Sequence, residues 1–206
     1  MKTIFISTAL LMLTCYSFAQ SNNPYNQRGL DYVASIKLIT NDYYAGKVKE
    51  FNKETIDYYA AKIPLQTQTK PTMEMVSSIA KGLKAPGFNL PQSIESSSLS
   101  EFSKETISET WNIQNSPDAL KGLVAEVDKI NESNISGSEK ENLLSLVAIS
   151  YNVCNERIKD SGFAGRYPSL GGLTAGAFFG FIIGGVFGPG GAFIGMVAGG
   201  LLGGLS

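Results

Sequence analysis

The run Ser138-Glu139-Lys140-Glu141-Asn142-Leu143-Leu144-Ser145-Leu146-Val147-Ala148-Ile149-Ser150-Tyr151-Asn152-Val153-Cys154 decides the fold class. It opens with the Ser-x-x-Glu spacing of a capping box, Ser138 to Glu141, which marks a helix start. Beyond it the chain is apolar on nearly every side as far as Cys154, and a helix apolar all round belongs at the centre of a bundle.

Upstream, apolar residues recur at three- and four-residue steps from Gly29 to about Asp160, with no sustained alternation of period two. Leu30 to Ile39 reads as a short helix. Tyr44, Val48, Phe51, Thr55, Tyr59 and Ile63 line a longer one that stops at Pro64. Met73, Val76, Ile79, Ala80 and Leu83 form a stripe between Pro71 and the Ala85-Pro86-Gly87 break. Leu99, Phe102, Thr106 and Thr110 mark another helix. Ser116 as N-cap, Pro117 and Asp118 then introduce a face of Leu120, Leu123, Val124, Val127 and Ile130. Five or six helices in residues 29–160 fold most economically as a small antiparallel bundle. The expected class is all-α.

Downstream, Tyr167 to Ser206 is forty residues without a charged side chain. Gly172, Gly176, Gly180, Gly184 and Gly188 repeat at intervals of four. After Pro189-Gly190 a second series follows: Gly191, Gly195, Gly199 and Gly203. In water each glycine costs a helix up to ~1 kcal/mol against alanine. In lipid the backbone must bond to itself, and a row of glycines lets a second helix approach to backbone contact. The two halves, 171–187 and 191–205, would span only ~25 Å and ~22 Å as helices. A bilayer core is ~30 Å thick, so they suit a thin membrane such as the bacterial outer membrane. Arg166 and Tyr167 stand where interface anchors belong.

At the other end, Lys2 precedes the apolar stretch Ile4 to Cys15, and Ser17-Phe18-Ala19 offers a peptidase site after Ala19. Residues 1–19 are expected to be a signal peptide. Cys15 raises the alternative of a lipid anchor, but Thr14 fits a lipobox poorly. Removal of the leader leaves Cys154 as the only cysteine, so no internal disulfide is expected and Cys154 reads as a buried small hydrophobe.

Composition narrows the chemistry. The 17 basic and 18 acidic residues give a net charge of -1, which argues against a nucleic-acid surface. There is no histidine, which removes Ser-His-Asp and Cys-His catalysis and imidazole metal sites. Ser78-Ile79-Ala80-Lys81 has the Ser-x-x-Lys spacing of penicillin-recognising enzymes, but the companion motifs are missing, so it reads as a helix surface. The pairs Glu54/Asp57 and Glu105/Glu109 share helix faces and could do acid-base work only if one carboxyl were buried. Their Lys, Ser and Thr neighbours point to solvated faces. Tyr43-Tyr44 and Tyr58-Tyr59 could stack a ligand, though helical spacing favours the core. Trp111, the single tryptophan, reads as a half-buried anchor. No catalytic residue, cofactor or metal is implied, and a non-enzyme is expected.

The nine glycines from Gly172 to Gly203 resemble the glycine-zipper two-helix hairpin of some bacterial surface proteins, and the Gly-x-x-x-Gly contacts of two-peptide bacteriocins. The segments Asn23-Pro24-Tyr25 and Gly29-Leu30-Asp31-Tyr32 resemble the opening of uncharacterised exported Bacteroidota proteins, as does the leader ending Phe18-Ala19-Gln20. These resemblances imply export to the periplasm or cell envelope, outer membrane favoured, and a lipid membrane as partner. They also imply a homo-oligomer joined through the glycine faces. The expected division is a signal peptide (1–19), a helical bundle (20–160), a linker (161–170) and a membrane hairpin (171–206). The alternatives are a secreted bacteriocin-like or pore-forming toxin, a tethered ligand-binding module, and a hairpin that packs on the bundle or on a copy of itself without lipid.

Overall fold

The computed structural model describes residues 22–48, 53–62, 72–160, 162, 170–185 and 195–200. Within them the chain is all-helical: α1 (Asn26–Tyr44), α2 (Lys53–Lys62), α3 (Met73–Leu83), α4 (Leu90–Glu95), α5 (Glu101–Ile113), α6 (Ala119–Glu132), α7 (Gly137–Lys159) and α8 (Leu170–Gly185). Residues 195–200 are also helical. The expected signal peptide lies outside the described residues, as do Arg166 and Tyr167.

The 23-residue α7 is the central element, and every residue from Leu143 to Cys154 is buried. Its start lies slightly upstream of the expected cap. Ser136, not Ser138, is the N-cap, and its hydroxyl accepts the Glu139 N–H at 3.2 Å. The cap of α6 shifts the other way, from Ser116 to Asp118, whose side chain makes no capping bond.

Helix α1 runs beside α7 in the same direction. Arg28 pairs with Glu141 at 2.6 Å near the start of both helices, and Lys37 pairs with Glu156 further along both. At the crossing a Cβ on Gly29 would lie 2.7 Å from the carbonyl carbon of Ala148, so the two backbones touch. Around that contact Arg28 donates to Ser145 Oγ at 2.8 Å, Asn152 to Asn26 at 2.9 Å, and Asn23 to the Leu144 carbonyl at 2.9 Å. The expected antiparallel arrangement is therefore corrected for this pair of helices, which are separated in sequence by α2 to α6.

Two further boundaries differ. The expected short first helix extends through nineteen residues and ends at Tyr44. The stripe from Tyr44 to Ile63 is not one helix: Gly46 adopts φ 70°, a left-handed turn that separates α1 from α2. The six-residue α4, capped by Asn89, was not anticipated.

One continuous apolar core joins all these layers. It includes Tyr32, Ile36 and Ile39 of α1, Met75 and Ile79 of α3, Ile94 of α4, and Leu123 and Ile130 of α6. Ala177, Phe178, Phe179 and Phe181 of α8 and Met196 of the last helical segment belong to the same core. Each fully buried side chain of this size contributes about 1.5–3 kcal/mol.

Candidate functional site

The glycine-rich tail packs against itself and against the bundle. A Cβ on Gly180 would overlap the carbonyl of Gly195 and lie 3.2 Å from the Gly199 Cα. A Cβ on Gly195 would overlap the Gly180 carbonyl and lie 3.0 Å from the Gly184 Cα. One on Gly199 would overlap the Gly176 carbonyl and lie 3.0 Å from the Gly180 Cα. Residue numbers fall along one helical segment as they rise along the other, so the two segments are antiparallel. With no side chain between them, their backbones meet directly, where dispersion and Cα–H···O contacts act.

Five of the nine glycines, Gly176, Gly180, Gly184, Gly195 and Gly199, are brought together in this contact. Gly172 lies on α8, where its side of the helix is not described, and Gly188, Gly191 and Gly203 fall outside the described residues. The five meet within one chain. Pairing of two copies through the same faces would require this contact to open.

The opposite side of α8 is covered by aromatic residues. Phe178 meets Trp111 of α5 edge-on, with ring centroids 5.4 Å apart and planes at 73°. Phe179 meets Phe88, just ahead of α4, at 5.1 Å and 81°. The Phe179 ring also occupies the space that a Cβ on Gly82 of α3 would need. Edge-to-face pairs add ~0.5–1.5 kcal/mol beyond burial. At sixteen residues α8 is short, and among the described residues no helix is long and apolar enough to cross a membrane. The expected transmembrane span is thus not found among them.

The singled-out carboxylates separate. Glu105 and Glu109 of α5 converge on Lys129 of α6, at 3.4 Å and 2.5 Å. Glu126, which the sequence reading passed over, completes this cluster from beneath, 3.8 Å from the same ammonium. Only 5% of it is exposed. Burial raises its pKa to about 7; Lys129 opposes the rise, and the nearby Glu109 and Glu105 reinforce it. On the buried side of α5, Thr106 and Thr110 have hydroxyls without partners among the described residues. The signal for Glu126 was its place three residues before Lys129, beside the Leu123-Val127-Ile130 stripe. Glu54 is exposed on α2, and the Asp57 side chain is not described.

The tyrosines also divide. Tyr43, Tyr44 and Tyr58 are exposed, which corrects the core assignment for three of the four. Only Tyr59 is buried, and it donates to Asp42 Oδ2 at 2.9 Å, while Lys47 reaches Oδ1 at 2.8 Å. These bonds, Lys47 first and Tyr59 second, hold the Asp42 carboxyl below its usual range. Ser78 and Lys81 lie exposed on α3. Cys154 is buried, and burial pushes its thiol up, so it stays protonated at neutral pH. No cluster of metal-binding side chains occurs among the described residues.

No protein-family model, curated protein or solved structure matches the chain.

Proposed function

We propose that this is an exported protein whose C-terminal hairpin associates with a membrane while the helical bundle carries it. The observation that supports this most is the direct contact of Gly180 with Gly195 inside a tail that has no charge. Closing the two segments backbone to backbone leaves Phe and Ile side chains to point outward, where lipid or protein can cover them. In the form described here Phe178, Phe179, Phe181 and Ile182 are buried, Phe178 against Trp111 and Phe179 against Phe88. Association then means exchanging these contacts for lipid, with the short hairpin seated in the interface or in a thin bilayer.

A second reading is favoured by the same aromatic contacts: the hairpin completes the core and never meets lipid. Trp111 separates the two, because it is the only tryptophan and lies against Phe178. With anionic or zwitterionic vesicles, the membrane reading expects the full chain to float with lipid and the Trp111 emission to change. Failure to float, with unchanged emission, would falsify it and leave the core-completing reading.

A further inference from the structure

A cleft of about 400 Å³ lies between the α5–α6 turn and the last turns of α7, away from the hairpin. Gln114 lines it from the turn, with Asp118, Leu120 and Lys121 at the start of α6, and Arg157 and Ile158 on α7. Three features give it a character of its own.

The first is an orphaned donor. Gln114 is 3% exposed, and its side-chain amide nitrogen has no partner among the described residues. A buried donor left unpaired costs about 1–3 kcal/mol, which a ligand acceptor would recover. Its backbone carbonyl, by contrast, is engaged, accepting the Cys154 thiol at 3.6 Å.

The second is the open start of α6. The first N–H groups of a helix have no intrahelical partner, and together with the helix dipole they favour an anion. Ser116 accepts the Ala119 N–H at 3.3 Å, but the Asp118 side chain caps nothing, so Leu120 and Lys121 present theirs.

The third is charge beside apolar surface. Lys121 and Arg157 supply two cations against the single carboxylate of Asp118. Ile158, 70% exposed, is the most exposed large apolar side chain described, and with Leu120 it makes one wall hydrocarbon.

We propose that this cleft binds a small organic carboxylate. The carboxylate is held by the Gln114 amide, the first turn of α6 and the two cations, and its hydrocarbon body lies on Ile158 and Leu120. The protonated Cys154 thiol offers no nucleophile, so the site binds without reacting with its ligand.

The test is a titration of the full, isotope-labelled chain followed by NMR, with hexanoate, hexanol and inorganic phosphate as probes. Hexanoate is expected to shift the Gln114 side-chain NH₂ and the Leu120 and Lys121 amides saturably. Hexanol is expected to leave them in place, and phosphate to bind more weakly than hexanoate. Arg157→Gln should weaken hexanoate about tenfold, the loss of one charge-assisted contact. Lys104→Gln, on α5 and outside the cleft, should not weaken it. Absence of saturable shifts, equal response to hexanol, tighter binding of phosphate, or an unaltered Arg157→Gln affinity would each overturn the proposal.

Discussion

Gly180 and Gly195 face each other so closely that neither position has room for a methyl group. The contact is reciprocal, each residue blocking the other's Cβ direction with its own carbonyl.

Gly180→Ala should therefore destabilise the chain by about 2 kcal/mol or more, since the added carbon forces two packed backbones apart. Gly137→Ala is the control: nothing lies within 4 Å of its Cβ position at the start of α7, and the change should stay within about 1 kcal/mol of zero. Urea denaturation of the two variants beside the parent checks the difference.

Phe178→Ala should cost about 3–5 kcal/mol, because the ring is 1% exposed and its removal leaves a cavity beneath Trp111. The Trp111 emission should shift to the red as water enters. A stability loss without a spectral change would mean that the two rings do not touch in solution.

Glu126 titrates near pH 7 when folded and near 4.5 when unfolded. Its folded pKa is raised, so the folded state holds the extra proton between these values. Stability from this group therefore falls as pH rises from about 4.5 to about 7, and the penalty is complete above that. Glu126→Gln should be more stable than the parent by about 1–3 kcal/mol at pH 8, the gap closing below pH 4.5. Paired denaturation curves across this range isolate Glu126 from the other carboxylates.

Asp42 behaves oppositely. Its folded pKa is depressed by Lys47 and Tyr59, so it stabilises the fold above its unfolded value near 3.8 and ceases to do so as pH falls through the folded pKa. Tyr59→Phe removes one of the two donors, so the Asp42 carboxyl resonance should titrate at higher pH than in the parent.

Helical periodicity was enough to place α3, α5, α6 and α7: α3 and α6 each bury one apolar face, α7 is buried all round from Leu143 to Cys154, and α5 keeps the helical step with Thr106 and Thr110 on its buried side. The ends were harder to read, since serine spacing alone does not choose between caps. Ser136 and Ser138 both precede a glutamate by three residues, and only the first hydroxyl meets a free N–H. Gly46 falls among apolar residues that keep helical spacing, so the turn after α1 left no break in the pattern. The direction of α1 against α7 depends on pairs such as Arg28 with Glu141, which no local pattern encodes. The glycine series at intervals of four was visible, but not that its outer side would meet Trp111 and Phe88. The orphaned amide of Gln114 arises from packing and left no mark in the sequence, whereas the buried carboxyl of Glu126 was signalled only by its place beside the Leu123-Val127-Ile130 stripe.

The pairing of α1 with α7 also governs when the chain can fold. The Arg28–Glu141 bond closes a separation of 113 residues, and the Asn26–Asn152 bond one of 126. As the chain is synthesised, α1 emerges early; Tyr59 of α2 can reach its Asp42, but α7, against which it packs most extensively, begins only at residue 137. Contacts this distant in sequence slow collapse, because a large loop must close before any of them forms. The bonds that join α1 to α7 can therefore form only once residues 141–152 have been made, and a chain halted before residue 141 would lack all of them.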